Sequence, residues 1–218
     1  HNYQAAPIQD IADFTGDSLG LALEAARTDA EMIAFCGVHF MAESADILTA
    51  EKVKVILPDM AAGCSMADMA DPNDVYQAWD EIHEMLGEGA SVVPVTYMNS
   101  AATLKAFVGE REGLVCTSSN AARALAWAFE RGEKVLFFPD QHLGRNTGYA
   151  MGIPLEEMVL WNWRMPHGGV TAEQLKKAAE SATAELHQYQ QRERDRTEAM
   201  ARDRDAARRT AAARVKPQ

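Results

Sequence analysis

A cysteine just past a predicted strand is the first residue of this sequence suited to chemistry. The apolar, β-branched run at residues 53–57 predicts a buried strand, which Pro58 ends. Cys64 follows in a loop that leads into a short helix beginning at Ser65. Open α/β sheets bind ligands beyond the carboxyl ends of their strands, and a helix start favours the thiolate form of a nearby cysteine. This position predicts a metal or cluster ligand at Cys64. The alternative is a small thiol packed in a core.

Hydroxyl side chains follow another predicted strand. Thr117, Ser118 and Ser119 open a predicted helix whose first backbone N–H groups have no partner within the helix. Such a helix start binds a carboxylate or phosphate without any net positive charge, although serine and asparagine also cap many ordinary helices. Asp17 and Ser18 form a similar, weaker cradle at an earlier helix start.

Two further pairs of polar residues are separated by a single position. Tyr97 and Asn99 lie at the end of a predicted strand, where residues two apart point to the same side. A phenol and an amide in that arrangement would orient a substrate, and the alternative is a pair of ordinary strand-end polar groups. His1 and Tyr3 have the same spacing and would also share a face.

The elements that must position these residues alternate between strand and helix. Apolar periodicity, capping residues and Gly or Pro breaks predict short strands joined by helices. The predicted strands are 32–35, 53–57, 91–98, 113–117, 134–138 and 159–161. The predicted helices are one from Pro7 that ends before Gly16, then 19–30, 39–48, 72–86, 101–108, 120–130 and one that begins at residue 171.

The order of these elements repeats. Cys36 is followed 23 residues later by Asp59 in VILPD, and Cys116 is followed 24 residues later by Asp140 in LFFPD. We interpret this as a duplication with a period of about 80 residues, against the alternative of chance α/β regularity. The predicted fold is therefore α/β, with two pseudo-repeated three-layer α/β/α units that have short parallel sheets, plus a C-terminal charged helix.

The expected domain boundaries follow from the same pattern. The first α/β unit takes residues 1–88 and ends in the glycine-rich segment GEGA, and the second takes residues 89–170. Residues 171–218 form a charged tail that is either a solvated helix or disordered, with an interaction coiled coil as the alternative. A capping box of Thr171 and Gln174 starts this tail.

Charge and cysteine usage exclude several classes of function. The 218 residues have a net charge of −11. Residues 1–177 carry 12 Lys or Arg against 25 Asp or Glu, a body that repels nucleic acid. No apolar run approaches the roughly 18 residues of a membrane span. Three cysteines without paired spacing indicate reduced thiols, so we expect a cytoplasmic protein.

The motifs as a set resemble the quinolinate synthase family. HNYQ, IQDIADFTGDSLGLA, CGVHFMAESADIL, LPDMAAGCSMADM, VTYMNS and CTSSNA occur in this order between residue 1 and about residue 177. The resemblance implies condensation of iminoaspartate with dihydroxyacetone phosphate to quinolinate, in de novo NAD biosynthesis. It also implies a 4Fe–4S cluster held by three cysteines, with one iron acting as a Lewis acid. An aspartate-oxidising enzyme upstream would be a partner.

The resemblance also implies roles for individual residues. Tyr3 would be catalytic, in acid–base work near the reacting carbons, and Cys64 would be the first cluster ligand. The substrate-binding residues would be His1, Ser18, Tyr97, Asn99 and Ser118.

The chain departs from the family pattern at about Ala178. The segments expected to carry the second and third cluster cysteines, and the third α/β unit, have no counterpart here. We therefore expect a truncated form that does not hold the cluster and whose activity alone is in doubt. One alternative is a non-catalytic α/β module that binds small dicarboxylates or phosphates. Another is a thiol redox protein using Cys36, Cys64 and Cys116, which has no CxxC motif to support it.

Overall fold

Short helices and strands alternate along most of the chain in a computed structural model. It describes residues 1–87, 89–180, 188, 191–192, 194–195 and 198–202. The strands are β1 (Met32–Ala34), β2 (Lys54–Ile56), β3 (Val92–Tyr97), β4 (Leu114–Cys116) and β5 (Lys134–Phe138). The helices are α1 (Ala6–Ile11), α2 (Ser18–Arg27), α3 (His39–Leu48), α4 (Pro72–Leu86), α5 (Ala102–Glu110), α6 (Ala121–Phe129), α7 (Gln141–Ala150) and α8 (Ala172–Glu180).

The strands form two parallel sheets, which confirms the predicted α/β class. In the first sheet β1 pairs with β2, and Ile33 lies opposite Val55. In the second sheet the order is β4-β3-β5, with Thr96 opposite both Val115 and Phe138. All carboxyl ends within each sheet therefore lie at one edge, where polar loop residues can meet.

The second sheet has helices on both faces. Because side chains alternate along a strand, Val93 and Val95 pack against the alanine face of α6, whereas Leu136 and Phe138 face the other way. On that other face they join Phe107 of α5 and its neighbours in a second buried cluster. This is the predicted three-layer arrangement.

In the first sheet the described helices cover one face. Ile33 and Val55 pack into the core that α2 and α3 form. Met32 and Ile56 project from the opposite face and are 58% and 43% exposed. Layering is therefore complete around the second sheet and one-sided around the first, as far as the described residues extend.

The two strand–helix–strand segments of the predicted duplication differ in pairing. β1, α3 and β2 form one segment, in which the two strands pair directly. β4, α6 and β5 form the other, in which β3 lies between the two strands. The division into units at residues 87–90 stays an interpretation.

Helix starts follow the predicted capping chemistry. The Asp17 carboxylate accepts a hydrogen bond from Gly20 N at 2.7 Å, and Asp71 accepts one from Asn73 N at 2.8 Å. Thr171 and Gln174 form the expected reciprocal box, with distances of 2.8 and 3.2 Å. None of the described helices is both long enough and apolar enough to span a bilayer.

The predicted strand at residues 159–161 is wrong. The chain there has no regular structure and turns back, since Asn162 N donates to Gly168 O at 3.0 Å. Gly168 has a φ of +64°, and an added Cβ would lie 2.3 Å from the Trp161 ring. Close packing of Trp161 on a residue without a side chain replaces strand pairing at this point.

Helix α7 was not predicted. Its sequence contains Gly144 and Gly148, which disfavour an isolated helix. Tertiary packing compensates, because a Cβ at Gly144 would lie 2.6 Å from Phe137, so glycine lets the helix approach β5 closely. Asp140 caps the helix by accepting from His142 N at 2.8 Å.

The predicted tail lies mostly outside the described residues. Helix α8 begins it as expected, and the described residues between 191 and 202 are helical. Arg194 donates to the Glu130 carboxylate, just past α6, at 3.0 Å. This charged segment therefore makes at least one contact with the α/β part of the chain, at the end of α6.

A lysine of α5 lies against α3. Lys105 on α5 sits 5.3 Å from the ring centroid of Phe40 on α3, and its ammonium group donates to Ser100 O. Burial lowers the pKa of Lys105 to about 8, and the nearby Glu43 carboxylate opposes that effect.

We predict that Lys105→Met changes how stability depends on pH. Lys105 has a pKa of about 8 in the folded chain against 10.5 ordinarily, so the unfolded chain binds more protons between these values. The free energy of unfolding of the parent should therefore rise with pH over this interval, relative to the variant, by on the order of 2 kcal/mol. Urea denaturation at several pH values measures the difference. Lys52→Met, at an exposed lysine, serves as the control, and parallel profiles for parent and Lys105→Met would contradict the prediction.

Candidate functional site

Four of the predicted site residues meet where the two sheets approach each other. Asn99 Nδ2 lies 3.9 Å from Cys64 Sγ, and the Ser118 side chain is near enough to Tyr97 to lower the pKa of its phenol. The Cys64 thiol also influences the ionisation of Tyr97, so all four side chains belong to one group. We call Cys64, Tyr97, Asn99 and Ser118 the strand-end cluster.

Strand register brings Tyr97 and Ser118 together. Tyr97 is the last residue of β3 and lies opposite Cys116 of β4. Met98 N then donates to Cys116 O at 2.7 Å, so the two chains remain paired beyond the sheet. Ser118 follows two residues after Cys116, which places its hydroxyl beside the phenol.

Buried Ser100 stabilises the turn after β3 through two hydrogen bonds. Ser100 is fully buried, and its hydroxyl donates to Tyr97 O at 2.9 Å. Ser100 N donates to Met98 O at 3.0 Å. These two bonds close the turn, and Asn99 projects from it toward Cys64.

The loop that carries Cys64 is tied to α3 and to its own short helix. His39 N, at the start of α3, donates to Ala62 O at 2.8 Å. Asp68 N donates to Cys64 O at 3.0 Å, and Ala67 is buried in the first core. The helix expected to begin at Ser65 is a single 3-10 turn, Ala67–Met69.

Burial and neighbouring groups keep the Tyr97 phenol protonated. Its pKa is raised chiefly by burial, with smaller contributions in the same direction from Cys116, Asp140 and Cys64. The Ser118 side chain acts the other way and lowers the pKa. A neutral phenol is a hydrogen-bond donor, which suits the binding of an anionic oxygen.

The hydroxyls after β4 form a compact start to α6. Thr117 Oγ1 lies 3.0 Å from Ser119 Oγ, and Thr117 N donates to Asn120 Oδ1 at 2.7 Å. Ser118 lies between them and is exposed. The predicted cradle is therefore accessible from the edge of the sheet on which the strand-end cluster lies.

The remaining predicted residues form a second group next to the first sheet. The amino group of His1 donates to Cys36 O at 3.0 Å, just beyond β1, and His1 Nδ1 accepts from Tyr3 N at 3.2 Å. The His1 and Tyr3 rings are 4.7 Å apart, and Tyr3 is 93% exposed. Asn2 N donates to Gly16 O at 3.2 Å, which connects this group to the loop before Ser18, the first residue of α2.

The cysteines do not form a common metal centre. Among the described residues, no three His, Cys, Asp or Glu side chains are placed to hold a metal ion. Cys116 is fully buried, and burial raises its pKa to about 12. Cys64 is half-buried and offers a single sulfur to the strand-end cluster.

Sequence reasoning missed Asp140 as a neighbour of this cluster. Its carboxylate contributes to the raised pKa of Tyr97 while it caps α7. The signal in the sequence was the Pro-Asp step at the end of β5, which resembles the step that precedes Cys64. That parallel was used for the duplication and not for the site.

Two parallel sheets with polar side chains gathered beyond their strands define an α/β protein of the kind that takes a small ligand at the sheet edge. A family model described as quinolinate synthetase A protein matches residues 1–193. The chain belongs to this family.

Relatives named quinolinate synthase agree with that assignment. The protein from Corynebacterium glutamicum is 57% identical over 179 residues, which are 82% of this chain and 45% of the relative. The protein from Streptomyces coelicolor is 59% identical over 180 residues, again 82% and 45%. The protein from Acidobacterium capsulatum is 57% identical over 181 residues, with 48% of the relative covered. The chain thus spans about half the length of the curated relatives it matches.

We predict that Ser118→Ala raises the pKa of Tyr97 further, because it removes a side chain that lowers this pKa. Ultraviolet titration of tyrosinate absorbance measures this shift, with Tyr97→Phe identifying which transition belongs to Tyr97. Ser119→Ala is the matched control, since that hydroxyl pairs with Thr117. A Tyr97 transition unchanged in Ser118→Ala would contradict the influence of Ser118 on the phenol.

Proposed function

We propose that this chain provides a substrate-binding part of a quinolinate synthase in de novo NAD biosynthesis. The whole reaction would condense iminoaspartate with dihydroxyacetone phosphate to quinolinate. Family membership supports the reaction class. The observation that carries the proposal is the 3.9 Å approach of Asn99 to Cys64, beside Tyr97 and Ser118, because it unites residues from three separate motifs.

Local donors, rather than the overall field, would bind these anions. The chain has a net charge of −11, which repels carboxylates and phosphates at long range. The Asn99 amide, the Ser118 hydroxyl and the protonated Tyr97 phenol would donate hydrogen bonds to substrate oxygens. A site of this type recognises an anion by directed bonds, which also fix the orientation of the substrate.

The HNYQ segment would provide the remaining contacts. The His1 and Tyr3 rings lie 4.7 Å apart at a tilted angle beside Cys36, and Ser18 opens α2 nearby. We propose that His1 and Ser18 bind substrate and that the exposed phenol of Tyr3 exchanges protons with it. An aspartate-oxidising enzyme would supply the unstable imine.

The described residues do not fit a 4Fe–4S cluster. When bound in this family, such a cluster would supply a Lewis-acidic iron. A cluster of this kind is held by several cysteine thiolates, and the described residues bring no three His, Cys, Asp or Glu side chains together to hold a metal. The second candidate function is a non-catalytic module that binds small dicarboxylates or phosphates, which the neutral donors gathered in the strand-end cluster favour.

We predict that the chain binds small anions at the strand-end cluster. Isothermal titration calorimetry with malate and with dihydroxyacetone phosphate should detect binding that Ser118→Ala weakens by about tenfold, the value of one hydrogen bond to a charged group. Ser91→Ala, at the amino end of β3, is the control. Binding that is equally weakened by both variants, or absent in the parent, would contradict the proposed site.

We predict that this chain alone does not assemble a 4Fe–4S cluster. Anaerobic reconstitution with iron and sulfide, followed by iron analysis and visible absorption, tests this. Iron well below one cluster per chain is expected, with no increase over a Cys64→Ser variant. A brown, air-sensitive product with about four irons per chain would contradict the prediction.

A further inference from the structure

The contact between Cys64 and Asn99 joins two sheets. Cys64 follows β2 of the first sheet, and Asn99 follows β3 of the second. The 3.9 Å separation of Sγ and Nδ2 is therefore set by whatever holds one sheet against the other. Strand register alone does not fix it.

Glu43 on α3 makes a polar contact between the two units at this point. Its Oε2 accepts a hydrogen bond from Ala102 N, the first residue of α5, at 2.9 Å. Ala101 precedes α5 and gives no side-chain cap. A carboxylate that accepts from a free N–H at a helix start does the work of an N-cap and is also favoured by the helix dipole. Glu43 therefore caps α5 from a different unit.

The capped helix is continuous with the turn that carries Asn99. Ala102 comes three residues after Asn99, and Ser100 between them is fully buried. Lys105, one turn further along α5, donates to Ser100 O and lies over Phe40 of α3. The first helical turn of α5 therefore contacts α3 at two points, through Ala102 and through Lys105. These contacts hold the turn after β3 against α3.

The other half of the site is attached to the same helix. His39 begins α3, and its N–H donates to Ala62 O, two residues before Cys64. Glu43 is one helical turn further along, with Oε1 at 3.8 Å from His39 Nε2. Helix α3 therefore contacts the Cys64 loop with its first residue and the Asn99 turn with its fifth.

We propose that Glu43 is a positioning residue, whose hydrogen bond to the start of α5 holds the Asn99 amide against the Cys64 sulfur. That Glu43 affects substrate binding rests on the proposed function. The positioning of Asn99 by Glu43 does not rest on it, because all the residues involved belong to this chain. Loss of the bond lets the turn after β3 move away from the Cys64 loop and uncovers the sulfur.

The test is alkylation of the three cysteines by iodoacetamide, followed by mass spectrometry of each peptide. For each cysteine, the rate in a variant is compared with the parent rate at the same pH, and a repeat at a second pH separates accessibility from the thiolate fraction. Glu43→Ala should accelerate modification of Cys64 several-fold. Glu43→Gln, whose amide oxygen still accepts from Ala102 N, should remain near the parent rate. Asp46→Ala removes an exposed carboxylate from the same helix and should change nothing.

Cys116 reports on the integrity of the fold, since it is fully buried. A faster alkylation of Cys64 in Glu43→Ala, with the Cys116 rate unchanged, supports the proposal. An unchanged Cys64 rate would overturn it. Equal increases of the Cys64 rate in Glu43→Ala and Glu43→Gln would overturn it by assigning the effect to charge, and parallel increases at Cys64 and Cys116 in Glu43→Ala would do so by showing a general stabilising role. No substrate is present, so failure here is distinct from failure of anion binding in the calorimetric experiment.

Discussion

The strand-end cluster depends on how two separate sheets are held together. Tyr97 ends β3 and Ser118 follows the adjacent strand β4, so backbone pairing fixes their distance. Cys64 follows β2 of the other sheet, and no strand pairing fixes its contact with Asn99. Helix α3 provides the missing constraint, since it touches the Cys64 loop and the start of α5. The relative position of Cys64 and Asn99 therefore depends on these two contacts of α3.

The electrostatics of the cluster favour neutral donors over cations. An acidic chain gives no long-range attraction for an anion, and the strand-end cluster contains no lysine or arginine. Burial and the nearby Asp140 carboxylate keep Tyr97 protonated, while Ser118 limits that effect. The phenol therefore remains a donor well above neutral pH, so anion binding at the cluster should not depend on a titrating cation.

Local rules account for most of the fold and for the composition of the site. Alternating apolar residues and acidic caps such as Asp17 and Asp71 located the helices and strands, because these signals act within a few residues. Helix α7 escaped prediction because Gly144 and Gly148 lower its intrinsic helix propensity, whereas the packing of Gly144 against Phe137 is a tertiary contact. The sequence also did not predict that β1 pairs directly with β2, or that Glu43 accepts from Ala102 N. Both features depend on contacts between segments far apart in sequence.

Binding and catalysis place different demands on this chain. An anion needs a few directed donors, and Tyr97, Asn99 and Ser118 are supplied by β3, β4 and the turns that follow them. An iron–sulfur cluster needs several thiolates converging on one point, and no three His, Cys, Asp or Glu side chains do so among the described residues. The donors of the strand-end cluster follow adjacent strands of one sheet, so strand pairing is enough to bring them together.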